Sequence, residues 1–210
     1  TSMSADTHKF GLSHKGTSVV LFRGPRLRHC LYTAFTEWSG GPYISPGFPG
    51  SRSGALIATA WASLAFMGRK GFMEVTERIM AVSKAFQAGL HKIEGLEVMG
   101  QPEMSVVAFR SHHKTINIYQ LNDLLAEKGW HLCALHLPPA LHMCFTAAHT
   151  METVEELLAD IEACRQQLLD KGSVAEGGSA KLYGMAASLP DRKLVGEILH
   201  AFQDVQLQIY

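Results

Sequence analysis

The sequence predicts an α/β protein in two unequal parts, and three observations predict it. Apolar runs of strand length, such as Ser18–Phe22, stand apart from longer stretches whose apolar residues recur every three or four positions. A connection over residues 24–53, rich in Gly, Pro and Ser, separates the first two strands from everything after it. Beyond it, strand-like and helical segments interleave closely enough to build a small sheet with helices on one face. At 210 residues there is room for one good core, or one compact domain plus a piece of another.

The elements follow in order. Residues 2–9 form a short strand that delivers His8 and Lys9 at its end. Ser18-Val19-Val20-Leu21-Phe22 is continuously apolar and is expected to be a strand buried on both faces. The connection 24–53 contains Trp38-Ser39-Gly40-Gly41-Pro42 and Pro46-Gly47-Phe48-Pro49-Gly50-Ser51-Arg52-Ser53-Gly54; loops this long inside a domain usually serve function. Ser53 can cap a helix over 54–68 that is apolar nearly all round and is therefore expected to be buried. After Gly68 and Gly71, the spacing of Phe72, Val75, Ile79, Val82, Phe86 and Leu90 predicts an amphipathic helix ended near Gly95. Strands are expected at 96–99, 105–109, 131–135 and 142–146, with a helix over 119–128 stopped by Gly129. Thr150 opens a helix with Val154, Leu157, Leu158, Ile161 and Leu168 on one face. Residues 172–180 read as a Gly/Ser-rich linker, and Pro190 sits near the start of a last amphipathic helix carrying Leu194, Ile198, Leu199, Phe202 and Val205. The first part is not self-sufficient, because two strands need neighbours to make a stable sheet.

Bulk composition removes several functions. Lys+Arg and Asp+Glu balance at 19 each, so no nucleic-acid partner is expected. Cys30, Cys133, Cys144 and Cys164 show no C-x-x-C or metal-type spacing and read as reduced thiols. The eleven histidines form no H-E-x-x-H pair, so no metal is expected. The longest apolar stretch, Ala55 to Met67, is too short to cross a bilayer, and no signal-peptide pattern opens the chain.

The chemistry lies at the front, in Asp6-Thr7-His8-Lys9 and Lys15-Gly16. Lys9 is an amine that can form an imine with a carbonyl cofactor and shuttle protons. His8 is adjacent and able to reach a phosphate, and Lys15 is a second cation suited to an anion as a point charge. Gly11 and Gly16 let backbone approach an anion closely. Gly50-Ser51-Arg52-Ser53-Gly54 runs into a helix N-terminus and offers another anion contact. Taken singly, each has an ordinary reading: a chance His-Lys pair, a solvated loop charge, a helix-initiating turn.

Their order and spacing resemble one family. Residues 5–23, A-D-T-H-K-F-G-L-S-H-K-G-T-S-V-V-L-F-R, resemble the lysine region of the sphingosine-1-phosphate lyases, pyridoxal 5'-phosphate (PLP) enzymes of the group II decarboxylase-like family. The resemblance continues through Glu37-Trp38-Ser39-Gly40-Gly41-Pro42-Tyr43, Ser45-Pro46 and Gly50-Ser51-Arg52-Ser53-Gly54. It extends to Lys128-Gly129-Trp130, Leu137-Pro138-Pro139, His142, Leu182-Tyr183-Gly184-Met185-Ala186 and Asp191-Arg192, covering nearly the whole chain.

The resemblance implies a fold-type I PLP-dependent transferase: the C-terminal part of the large domain with the active-site loop (1–53), linking helices (54–94), the small α+β domain (95–171), and a linker with a C-terminal helix (172–210). It implies retro-aldol cleavage of a phosphorylated long-chain base to phosphoethanolamine and a long-chain aldehyde, in sphingolipid catabolism. Lys9 would carry the cofactor, His8 would lie by its phosphate, and Lys15 would favour the substrate phosphate. Gly50 and Ser51 would reach the cofactor phosphate of a partner subunit, which implies a homodimer. Tyr183 would contact the substrate phosphate, or dock the tail together with Leu182. The family location is the endoplasmic reticulum membrane with a cytosolic catalytic domain, this chain itself being soluble and intracellular.

Family members carry a long segment before the lysine, with the aspartate for the pyridine nitrogen, a ring-stacking group and a phosphate loop. These 210 residues do not include it, so the chain is expected to be a C-terminal portion that is inactive by itself. Two rivals remain: a PLP-dependent amino-acid decarboxylase of the same fold, which would not need Lys15, and a non-catalytic dimerising fragment.

Overall fold

The computed structural model describes residues 1–171 and 191–207, which divide into two compact units, 1–74 and 75–210. The expected linker 172–180, Pro190 and the tail motif with Tyr183 lie outside the described residues.

In the first unit, β1 (Ser2–Ala5) pairs antiparallel with β2 (Val19–Phe22), Ser2 opposite Phe22 and Ala5 opposite Val19. The connection after β2 is more structured than its Gly/Pro content suggests. It holds the short helix α1 (Pro25–Arg28), a 3-10 turn (His29–Leu31), and a hairpin of β3 (Thr33–Phe35) and β4 (Tyr43–Ser45). Its turn is closed by the Gly41 N–H donating to the Trp38 carbonyl at 2.9 Å, and Trp38 meets the Tyr43 ring edge-on at 6.1 Å. Composition flags such a segment as loop, but β-branched and aromatic residues at its two arms were enough to pair.

Two burial expectations fail in this unit. Val20 and Leu21 of β2 are 55% and 51% exposed, and Ile57, Trp61 and Phe66 of the 54–68 helix are 60%, 71% and 90% exposed. The cause is layering: each sheet here has two strands, and within the unit no second layer covers these faces.

Helix α2 (Gly54–Leu90) starts in the first unit and ends in the second, interrupted at Gly68, whose φ of 54° and ψ of −177° leave the helical region. From Ile79 onward the 3.6-residue spacing does what it predicts: Ile79, Val82, Phe86 and Leu90 are buried.

The second unit is a four-stranded antiparallel sheet in the order β5 (Leu96–Val98), β6 (Val106–Ser111), β8 (Ala140–Cys144), β7 (Cys133–Leu135). Val107 and Phe109 of β6 and Leu141 of β8 point into a core shared with helices α2, α3 (Ile118–Glu127) and α4 (Met151–Lys171). Phe86 sits between Phe109 and Phe145 at ring separations of 6.0 and 5.0 Å. Leu158 packs close over Gly89: a Cβ there would lie 2.1 Å from Leu158 Cδ1, so a larger residue would require that side chain to move. Asn117 caps α3, its Oδ1 accepting from the N–H groups of Tyr119 and Gln120. A last helix, α5 (Arg192–Leu207), bears Leu194, Ile198, Leu199, Phe202 and Val205, all exposed.

Lys128-Gly129-Trp130 acquires a structural role. The Lys128 ammonium and the Trp130 indole N–H both converge on the Asp160 carboxylate of α4, each at 2.8 Å. Lys128, then Trp130, hold the Asp160 carboxyl below the usual carboxylate range.

Two outcomes test this packing. Phe86→Ala is expected to cost about 3–5 kcal/mol in denaturant unfolding, the usual loss for truncating a buried phenylalanine. Asp160→Asn is expected to cost about 1 kcal/mol at neutral pH, discounted for partial exposure. Because the folded-state value is depressed, the carboxylate's contribution is present above its unfolded pKa and lost as pH falls through the folded one. The stability difference between wild type and Asp160→Asn should therefore shrink as acid titration passes below the ordinary carboxylate range.

Candidate active site

The site is built where β1 runs out. Beyond Ala5 the backbone turns tightly: the Lys9 N–H donates to the Asp6 carbonyl at 3.1 Å, the Leu12 N–H to Lys9 at 3.0 Å, and the Ser13 N–H to Thr7 at 3.0 Å. Gly11 permits this closure, because a Cβ there would fall 2.5 Å from the Thr7 carbonyl oxygen. The turn is tied to the approach to β2 by Thr17. Thr7 Oγ1 donates to Thr17 Oγ1 at 2.6 Å, and Ser13 Oγ lies 3.0 Å from the same atom.

His8 Nδ1 meets the Thr17 carbonyl at 2.5 Å. A carbonyl only accepts, so Nδ1 carries the hydrogen, and in the neutral ring Nε2 holds the free lone pair. Lys9 Nζ lies 2.8 Å from Asp6 Oδ2. The Lys9 hydrogen bond, then one with Ser18, draws the Asp6 carboxyl below its usual range, and the Asp6 bond in turn raises the Lys9 ammonium above its own.

Beside this turn is a cavity of about 520 Å³ with two kinds of wall. Thr7, His8, Thr17, Ser18, Ser51, Arg52 and Ser53 are its polar side; Leu56, Ile57, Ala60, Trp61 and Leu64 of α2 are its apolar side. Ser63 of the same helix donates to the Leu12 carbonyl at 3.3 Å, which ties α2 to the turn.

Of the residues singled out in the sequence, the fold brings His8 and Ser51 to one cavity. Gly50 precedes Ser51 without lining it. Lys9 is next to His8 in the chain, but its amine is engaged with Asp6 and it is not among the lining residues. Lys15 is exposed on the loop before Gly16 and does not line the cavity either. Sequence reasoning passed over Asp6 as a partner of Lys9, and Thr17 and Ser18 as the hydroxyls that organise the turn. The available signal was the i,i+3 spacing of Asp6 and Lys9 and the two hydroxyls ahead of an apolar strand.

Comparison with known proteins is consistent across sequence and fold. The aminotransferase class I and II family model matches residues 40–161. The sphingosine-1-phosphate lyase of Oryza sativa subsp. japonica is 46% identical over 204 residues, 97% of this chain and 37% of that protein. This chain therefore spans little more than a third of that relative's length. The solved sphingosine-1-phosphate lyase of Burkholderia pseudomallei matches at 39% identity with a TM-score of 0.76, over 81% of this chain and 38% of that one. The glutamate decarboxylase of Lactobacillus brevis matches at 19% identity with a TM-score of 0.68, over 83% of this chain and 42% of that one, a likeness of fold alone.

Proposed function

Given that the chain belongs to the aminotransferase class I and II family, we propose that it carries the cofactor-bearing lysine, Lys9, of a PLP-dependent carbon–carbon lyase. The substrate proposed is a phosphorylated long-chain base such as sphingosine 1-phosphate, and the products are phosphoethanolamine and a long-chain aldehyde. The observation that carries this reading is the cavity that gathers His8, Ser51, Arg52 and Ser53 next to the Lys9 turn.

The donor set fits the cofactor's phosphate end. Ser51 and Ser53 offer hydroxyls, Arg52 a guanidinium suited to two phosphate oxygens, and His8 a ring whose orientation is fixed by Thr17. Lys9 provides the amine one residue away. Among the described residues no carboxylate lines the cavity, so a partner for the cofactor's ring nitrogen is not among its described walls. When bound, PLP supplies an aldehyde for the lysine and an aromatic ring that accepts the electrons left by carbon–carbon cleavage.

The chain's own residues bind, orient and move protons. With its Nδ1–H committed to Thr17, His8 can bind a phosphate oxygen only as imidazolium, through Nε2–H. Lys9 must give up a proton before it can act as a nucleophile. Lys15, exposed on its loop, is proposed to attract the substrate phosphate as a point charge. Tyr183 is proposed as a second phosphate contact, outside the described residues. Gly50 and Ser51 are proposed to serve a cofactor phosphate in a homodimer, and the location proposed is the endoplasmic reticulum membrane with the catalytic part on the cytosolic side. Among the described residues no helix is long and apolar enough to cross a membrane.

The test is aldehyde release from sphingosine 1-phosphate by the whole PLP-loaded protein that carries these residues, set against CO₂ release from aromatic amino acids. Aldehyde release that is abolished by Lys9→Ala is expected. Lys15→Ala is expected to raise KM for the phosphorylated base about tenfold, the scale of one lost charge-assisted contact. Turnover of amino acids alone would replace this reading with a decarboxylase, and an unchanged KM would remove Lys15 from phosphate recognition.

A further inference from the structure

The Lys9 amine does not reach into the cavity beside it; it is held by the carboxylate of Asp6. Three features make this more than a passing surface contact. The two residues are set i,i+3 across a turn whose own backbone bond joins them, Lys9 N–H to Asp6 carbonyl. Ser18, the residue just before β2, donates its hydroxyl to the Ala5 carbonyl at 3.4 Å, which ties the residue ahead of Asp6 to the second strand. The turn is held in place by the Thr7–Thr17 and His8–Thr17 bonds, so the carboxylate is positioned before any ligand arrives.

We propose that Asp6 is a positioning residue for Lys9, holding the protonated amine at the turn until a carbonyl ligand draws it off. The proposal rests on reading Lys9 as the amine that takes the cofactor. Condensation of an amine with an aldehyde forms one C=N bond and releases one water. It needs no oxidant, but the ammonium must first lose a proton to solvent. Asp6 opposes that loss: the carboxylate raises the pH at which Lys9 becomes neutral. The ionisable groups acting on the pair among the described residues are Asp6, Lys9 and His8 on the turn itself; Ser18 adds only a neutral hydroxyl. The same carboxylate offers the displaced amine a place to return to whenever the cofactor leaves it.

Two probes separate this from the functional reading. The first is acylation of lysines by an N-hydroxysuccinimide ester across a pH series, read by peptide mass spectrometry with Lys15 as internal reference. Asp6→Asn is expected to raise the Lys9-to-Lys15 labelling ratio severalfold below the wild-type midpoint and to move the Lys9 midpoint to lower pH. Asp6→Glu is expected to keep the wild-type profile. Salt at about 1 M, where the Debye length is ~3 Å, is expected to raise Lys9 labelling in wild type but not in Asp6→Asn. An unchanged ratio in Asp6→Asn, with Lys15 labelling and circular dichroism as in wild type, would overturn the proposal. The second probe is PLP followed by borohydride. Faster trapping on Lys9 in Asp6→Asn supports the proposal. Altered acylation with no PLP on Lys9 in any variant leaves the ion pair's role standing and sinks the cofactor assignment instead.

Discussion

The bond between the His8 ring and the Thr17 carbonyl is the constraint on which the site depends. β1 and β2 make a two-stranded ladder, and such a ladder defines no more than the two ends of the loop between them. What shapes residues 6–17 into a platform is local: the turn bonds of Lys9, Leu12 and Ser13, the hydroxyl contacts of Thr7 and Ser13 with Thr17, and the imidazole donating to the Thr17 backbone. That last bond also fixes which His8 nitrogen carries the lone pair in the neutral ring. Lys9 inherits its place from the same turn, so its encounter with Asp6 follows from backbone geometry and not from a search by a long flexible side chain.

The two units show why one part of the sequence was easier to read than the other. In the second, Ile79, Val82, Phe86 and Leu90 on α2 and Val154, Leu157, Ile161 and Leu168 on α4 recur with helical period and are all buried, because a four-stranded sheet stands ready to receive them. In the first, Val19–Leu21 and the Ile57–Phe66 stretch are as apolar as any core, yet they are exposed. Apolar content tells what a segment prefers to bury, not whether a partner layer is there to bury it. The β3–β4 hairpin was hidden for the opposite reason: its glycines and prolines dominate the composition, while Thr33–Phe35 and Tyr43–Ser45 are short.

The site was legible as a set of chemical types and less so as a geometry. His8 and Ser51 could be named from the chain and share a cavity wall. The ion pair of Lys9, the bonds of Thr17 with Thr7, His8 and Ser13, and the apolar wall of Leu56, Ile57 and Trp61 required the fold, because they join residues through turns whose shape the sequence does not spell out. Lys128 and Trp130 make the converse point: they stood out as part of a resemblance, and the structure gives them the ordinary duty of anchoring on Asp160.

In the proposed site one short turn presents Lys9 to a phosphate-bearing carbonyl ligand held by His8, Ser51 and Arg52. A crystal structure of the protein grown with PLP tests it most directly. Continuous density is expected from Lys9 Nζ to the ligand, with its phosphate against the His8 ring and the Ser51–Arg52 loop, from the same subunit or a partner, and Asp6 released from the amine. Density joined to Lys15 or another lysine, or a phosphate bound away from His8, would contradict it.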